Sequence, residues 1–230
     1  MFVKLHIIDN HTCKLMKGSE DFDLEVKITV LGNPSVGKTS FVHRYCYSEF
    51  PKSCKTSTGA GYMTKMITRN GQRLKISIWY IAGDEKIRFV SRCYYKGAMG
   101  LILMYDITKE SSFSAIRNYW KTDIKNYCLE DLPIILVGNK CCIKNERQVR
   151  YDEGKRVADE LGFMFIEASA KENLRVSDTF DKLTDLICRH LYEEACTEKH
   201  VRFESNETKE EMDATSLRDQ TFSRETAVKV

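Results

Sequence analysis

The stretch Leu31 to Ser40, LGNPSVGKTS, decides how the rest of the chain is read. It matches the phosphate-binding pattern G-x-x-x-x-G-K-[ST] at Gly32, Gly37, Lys38 and Thr39, directly after the apolar run DLEVKITVLG and directly before a helical pattern. With glycine at about 7% of residues, the bare pattern arises by chance in roughly one chain in a hundred of this size. The strand-loop-helix context makes coincidence rarer. In such a loop the backbone N–H groups of Ser35, Val36, Gly37, Lys38 and Thr39 line a concave nest, and Ser40 continues it into the first helical turn. The helix dipole adds positive potential, the Lys38 ammonium reaches the outer phosphates, and the Thr39 hydroxyl ligates magnesium. Pro34 removes one donor and leaves the others.

Outward from this loop, short β-branched runs alternate with longer helical patterns. The expected strands are Glu25 to Leu31, Tyr62 to Thr68, Leu74 to Trp79, Leu101 to Ile107, Ile134 to Gly138 and Phe163 to Ala168. The runs at Leu101 and Ile134 are almost continuously apolar, as befits parallel strands covered on both faces. Asn70-Gly71 between two alternating runs predicts a tight hairpin, hence one antiparallel pair. Helices are expected over Lys38 to Tyr47, Lys86 to Lys96, Ser112 to Tyr127, Asp152 to Leu161 and Val176 to Glu194. The last carries Phe180, Leu183, Ile187 and Leu191 as an apolar stripe. Strands alternating with helices mean a layered α/β sheet with ligands at the carboxyl ends of its strands.

Composition sets outer bounds. The 230 residues are 42% hydrophobic and 30% charged, which is ordinary for a globular protein with one well-buried core. A formal net charge of +3, with no element concentrating Lys and Arg, gives no reason to expect nucleic acid. Nine scattered Cys without paired C-x-x-C spacing point to reduced thiols and a cytosolic setting. The opening MFVKLHIIDNHTC is interrupted by Lys4, His6 and Asp9 and does not suit a signal peptide or a membrane span. Three regions are expected: an N-terminal extension over 1–22, a folded domain over 23–195, and a polar, flexible tail over 196–230, with a short helix near Glu207 to Leu217 as the alternative for the tail.

The segments GNPSVGKTSFVHRY, RLKISIW, YYKGAMGLILMYDIT, LVGNK and LGFMFIEASAKENL together resemble a Rab-type small GTPase of the Ras superfamily. The wording is nearest to the branch associated with synaptic and secretory vesicles, and the resemblance spans roughly Asp23 to Glu194. It implies a P-loop NTPase three-layer sandwich: a six-stranded, mostly parallel sheet with one antiparallel edge strand and about five helices. It further implies binding of GTP and GDP with Mg2+, two switch loops, and work in vesicle trafficking or regulated exocytosis as a monomer.

Carried over residue by residue, the resemblance makes Phe50 the aromatic packed on the guanine ring. Asn139 and Lys140 match the guanine motif N-K-x-D, and Ser169, Ala170 and Lys171 match its S-A-K companion. The motif's Asp is Cys142 here, and a thiol is a weak acceptor for the ring N–H and exocyclic amine of guanine. Ser57 falls at the switch-one Thr that ligates magnesium, with Thr56 or Thr58 as alternatives if the loop shifts. Where the family writes D-T-A-G-Q-E this chain has YIAGDE, Tyr80 to Glu85. Tyr80 stands where an Asp holds magnesium through water, and a phenol carries no charge at neutral pH. Asp84 stands where a Gln orients the attacking water, and Gly83 retains the switch-two backbone N–H. Binding with impaired hydrolysis is therefore expected; the alternative is a non-catalytic module that recruits effectors or regulators.

Tyr62, Trp79 and Tyr94 match the aromatic triad that resembling proteins present to effectors. The chain ends ETAVKV with no Cys beyond Cys196, so no autonomous lipid anchor is expected. A cytoplasmic protein drawn to vesicles or the plasma membrane through partners is the corresponding expectation.

Overall fold

The computed structural model describes residues 22–51, 59–81, 95–129 and 131–193, together with the backbone of two short strands, β1 (His6–Ile7) and β2 (Cys13–Lys14). Those two pair antiparallel. Two-residue strands carry no alternation that a sequence pattern could reveal, and none is expected there from the sequence. The chain divides into two compact units, Met1–Ile187 and Cys188–Val230. In the second unit, residues 188–193 are helical.

The first unit is built on a six-stranded sheet in the order β4-β5-β3-β6-β7-β8. Its strands are β3 (Leu24–Gly32), β4 (Ala60–Arg69), β5 (Gln72–Ile81), β6 (Gly100–Asp106), β7 (Ile134–Asn139) and β8 (Met164–Glu167). Every neighbouring pair is parallel except β4 with β5, which makes β4 the antiparallel edge. All six expected strands are present, most of them a residue or two longer at their ends. The β4–β5 hairpin turns at Asn70 (φ 50°) and Gly71 (φ 77°), two consecutive left-handed residues that match the right-handed twist of the strands.

Helix α1 (Lys38–Tyr47) follows β3. A continuous helix then follows β6, made of α2 (Glu110–Ala115), a π-helical turn (Ile116–Trp120) and α3 (Lys121–Tyr127). Helix α4 (Tyr151–Leu161) precedes β8, and residues 176–187 form α5 within this unit. Most of the helix expected over Lys86 to Lys96 lies outside the described residues. At its far end Tyr95 is helical, whereas Lys96 and Gly97 form a turn with Gly97 at φ 70°, so the expectation overshot there.

Strands β6 and β7 are buried at every position, because helices cover both faces. On one face Leu101, Leu103, Tyr105 and Leu136 pack with Ile116 and Val157 of the covering helices. On the other, Gly100 lies so close to Leu183 and Ile187 of α5 that a Cβ there would sit 2.7 Å from Ile187. Phe180 of α5 stacks on Tyr45 at 3.9 Å between centroids and on Phe41 at 5.7 Å, which fixes α1 beside α5. The connection after β3 runs to the β4–β5 side of the sheet and that after β6 runs the other way to β7, so the carboxyl ends of β3 and β6 border the switch point where such sheets form a crevice.

Candidate functional site

The loop from Gly32 to Lys38 leaves the carboxyl end of β3 and feeds α1. Gly37 caps the helix at φ 97°, ψ 20°, and no acidic side chain stands in the first turn. A Cβ on Gly37 would lie 2.5 Å from Nδ2 of Asn139, so glycine is required both by conformation and by space. Lys38 is only 6% exposed, and its ammonium donates to the carbonyl oxygens of Gly32 and Asn33, each at 2.7 Å. Burial pushes its pKa down to about 7. The side chain thus curls back along its own loop, and an anion arriving at the nest would meet a dehydrated amine already in place and favour its protonated form. A second strut comes from the π-helical turn, where Trp120 Nε1 donates to Asn33 Oδ1 at 2.8 Å.

The loop is tied to the ends of β7 and β8. Asn139 Nδ2 donates to the Val36 carbonyl at 2.8 Å, while its Oδ1 accepts from the Ala170 N–H at 3.3 Å. One buried side chain therefore joins the phosphate-type loop to the Ser-Ala-Lys loop. Lys140, at φ 66°, places its ammonium 2.5 Å from Oδ2 of Asp106, a fully buried carboxylate at the end of β6. Oδ1 of the same carboxylate accepts from the N–H and hydroxyl of Thr108. Ser169 Oγ donates to Cys142 Sγ at 3.1 Å and accepts from the Glu172 N–H at 3.2 Å. Cys142 is therefore at the expected corner of this cluster, carrying a thiol where an ionised acceptor was the expectation from the motif. Phe50 lies after α1 and is 37% exposed, with the Arg44 guanidinium 5.8 Å from its ring centre.

At the other side of the crevice the ends of β4 and β5 meet. Tyr80 pairs in register with Gly61, and its ring lies against that glycine: a Cβ on Gly61 would sit 2.1 Å from a ring carbon. Tyr80 is 9% exposed, and burial raises its pKa, with Cys46 and Tyr47 adding to the shift. The phenol stays neutral at physiological pH. Next to it, on the opposite sheet face, Tyr62 is 46% exposed and its ring centre stands 4.7 Å from that of Trp79. Ser57, Gly83, Asp84 and Tyr94 lie outside the described residues.

The site residues Val36, Lys38, Asn139, Cys142, Ser169 and Ala170 thus come together around one crevice, while Tyr62 and Trp79 lie on the outer sheet face. Sequence reasoning missed Arg44, Asn33, Asp106 and Trp120. Only Arg44 offered a local sign, a basic residue in the last turn of α1; the others act through partners far away in sequence. The donors fit a phosphate group, since the ammonium, the positive-φ glycine and the helix start converge. Among the described residues no cluster of His, Cys, Asp and Glu could hold a metal ion. Of the two residues expected to hold magnesium, Thr39 stands at the start of α1 and offers a hydroxyl oxygen of the hard type that ion takes, while Ser57 lies outside the described residues.

Comparison with known proteins agrees with this arrangement. The Ras family model matches residues 27–189. Ras-related protein Rab-3A of Homo sapiens is 47% identical over 174 residues, covering 76% of this chain and 79% of that protein. Ras-related protein Rab-3 of Caenorhabditis elegans is 45% identical over the same shares. Ras-related protein Rab-3C of Mus musculus is 42% identical over 182 residues, 79% of this chain and 80% of its own length. The match runs from within β3 through residue 189 and takes in the crevice described above, so the chain belongs to the Ras family, as a Rab-type small GTPase of the Rab-3-like branch.

Proposed function

We propose that this protein is a Rab-type switch that binds GTP and GDP in vesicle trafficking, with exocytosis as its field and with slow hydrolysis. The observation that carries the reading is the Asn139 bridge, which holds Val36 and Ala170 to one amide at 2.8 and 3.3 Å and so ties the phosphate-type loop to the Ser-Ala-Lys loop, where the base would lie. Ser35, Val36, Gly37, Lys38, Thr39 and Ser40 take the phosphates; Phe50, Asn139, Lys140, Cys142, Ser169, Ala170 and Lys171 take the base. Thr39 and Ser57 would hold Mg2+, which neutralises phosphate charge when bound. Tyr62, Trp79 and Tyr94 form the surface for effectors and regulators, through which a cytoplasmic monomer reaches vesicles.

Hydrolysis needs a water held in line with the γ-phosphate and donors for the charge that develops on it. Gly83 keeps a backbone N–H for that purpose. Asp84 brings a carboxylate that the phosphate repels and that donates nothing when ionised. Tyr80, folded onto Gly61 and neutral, adds no charge near the metal position. The burial of Tyr80 favours, as a second reading, a non-catalytic module that keeps one conformation and recruits effectors.

Two measurements separate these readings. Nucleotide released on denaturing freshly purified protein is GDP for a working cycle, GTP for an arrested one, and nothing for a module without ligand. The double substitution Tyr80→Asp with Asp84→Gln restores the metal-side carboxylate and the water-orienting amide, and should raise single-turnover GTP hydrolysis at least about 100-fold. An unchanged rate in a variant that still binds GTP would refute the assignment of slow hydrolysis to these two positions.

A further inference from the structure

Arg44, in the last turn of α1, uses all three guanidinium nitrogens on backbone carbonyls. Nε donates to Ala170 at 2.9 Å, Nη2 to Lys171 at 3.0 Å and Nη1 to Ser48 at 2.8 Å. Its Cζ also stands 5.8 Å from the ring centre of Phe50. The Ala170 and Lys171 carbonyls belong to the loop after β8, 126 and 127 positions from Arg44 in sequence. Ser48 and Phe50 belong to the segment after α1. The N–H of Ala170 meanwhile donates to Asn139 at 3.3 Å, so that residue is held from both its polar groups.

We infer that Arg44 is a positioning residue for the nucleotide base: it sets the gap between Phe50 on one wall and the Ala170–Lys171 loop on the other. The inference rests on the nucleotide-binding reading above. A planar guanidinium can address three carbonyls at fixed angles, whereas a lysine ammonium is a single point charge on a flexible stem and cannot hold the same fork. The two walls otherwise share no stretch of chain, so with the fork removed each remains folded on its own strand or helix and the distance between them loosens. A ligand that must fit the gap then has to order it on binding, and its affinity falls by that amount. A ligand that touches only the phosphate nest is indifferent, because Lys38 is held by the Gly32 and Asn33 carbonyls and Val36 by the Asn139 amide, contacts that do not involve Arg44.

The test uses the full chain with two probes, GDP and inorganic pyrophosphate, and two variants, Arg44→Met and Arg44→Lys. Arg44→Met should weaken GDP by about 10- to 100-fold, the scale of losing hydrogen bonds from a charged donor, chiefly through faster dissociation. Pyrophosphate should change by less than about 2-fold. Arg44→Lys should recover the charge but little of the GDP affinity, and it supplies the same ratio if the methionine variant does not fold. Equal weakening of both probes would reduce Arg44 to a general stabiliser and overturn the inference, as would full rescue by lysine or unchanged GDP affinity. If wild-type protein binds pyrophosphate but not GDP, the gap is not a base site and the inference fails while the phosphate nest stands. If it binds neither, the nucleotide reading itself is refuted and this inference falls with it.

Discussion

The two sides of the crevice hold their shape by different means. Around the loop from Gly32 to Lys38, polar groups from β3, α1, β7, the loop after β8 and the π-helical turn meet within 2.7 to 3.3 Å, with the Lys38 ammonium turned onto its own loop and Asn33, Val36 and Ala170 tied to side chains from other segments. At the paired ends of β4 and β5 the corresponding contact is a phenol ring laid over a glycine. The first side is a directional lattice, in which removing one partner leaves a buried group unsatisfied. The second is packing, in which area and shape decide and no particular donor is required. A fold can therefore keep one half of a crevice as hydrogen-bonding machinery while the other half turns into core, since the backbone pairing of β4 with β5 does not depend on which side chain stands at position 80.

Among changes aimed at this contrast, the largest effect should come from restoring charge to the lattice side. Cys142 accepts from the Ser169 hydroxyl at 3.1 Å, and an aspartate there would accept from that hydroxyl and from the guanine edge as well. With a thiol, GDP and the corresponding hypoxanthine nucleotide should bind within about 3-fold of each other, because nothing strong reads the exocyclic amine. Cys142→Asp should widen that ratio to about 30-fold, on the scale of a charged hydrogen-bond pair worth about 2 kcal/mol. Competition binding of the two nucleotides measures it. A ratio that does not move would mean that this corner of the lattice does not face the base.

The packing side should respond to volume instead. Gly61→Ala puts a methyl 2.1 Å from a Tyr80 ring carbon, and the ring is too buried to swing clear without strain. Overpacking of this kind costs about 2 kcal/mol, roughly 4–8 °C in melting temperature for a domain of this size. Adding Tyr80→Ala should cancel most of the penalty, and a double-mutant cycle by chemical denaturation reports the coupling. Strict additivity of the two changes would show that the ring does not lean on the glycine.

How much of this could be read from the sequence follows the same division. The strands, the Asn70-Gly71 turn and the phosphate-type loop announce themselves because each is a local pattern: alternation, paired positive-φ residues, two glycines at fixed spacing before a lysine. Substitutions at Tyr80 and Cys142 were equally legible against a family pattern. What each does instead was not, because that depends on register across strands and on loops far apart in the chain. Gly61 looks like loop punctuation until it is found opposite Tyr80. Arg44 looks like an ordinary helix-end cation until its partners at Ala170 and Lys171 are seen. Trp120 reads as one apolar position of a helix, and its hydrogen bond to Asn33, 87 positions away, depends on where the sheet places the two elements.

The smallest effect is expected where the two modes touch. Tyr62 on β4 has its ring against Trp79 and its hydroxyl 3.1 Å from Ser77 Oγ. Ser77 has one proton, and it donates that proton to Glu25 Oε1 at 2.5 Å, so the Tyr62 hydroxyl must be the donor to Ser77. Glu25 in turn has Lys75 at 3.4 Å. Tyr62→Phe removes only the outermost donor of this chain. The serine keeps its carboxylate, the carboxylate keeps its lysine, and the ring keeps Trp79, so no buried group is orphaned. The loss should be under about 1 kcal/mol in urea denaturation. A loss above about 2 kcal/mol would mean that the chain from Tyr62 to Lys75 acts as a cooperative unit. In that case the outer face of β4 and β5 would also be a directional lattice, and the contrast between the two sides of the crevice would shrink to the single contact between Tyr80 and Gly61.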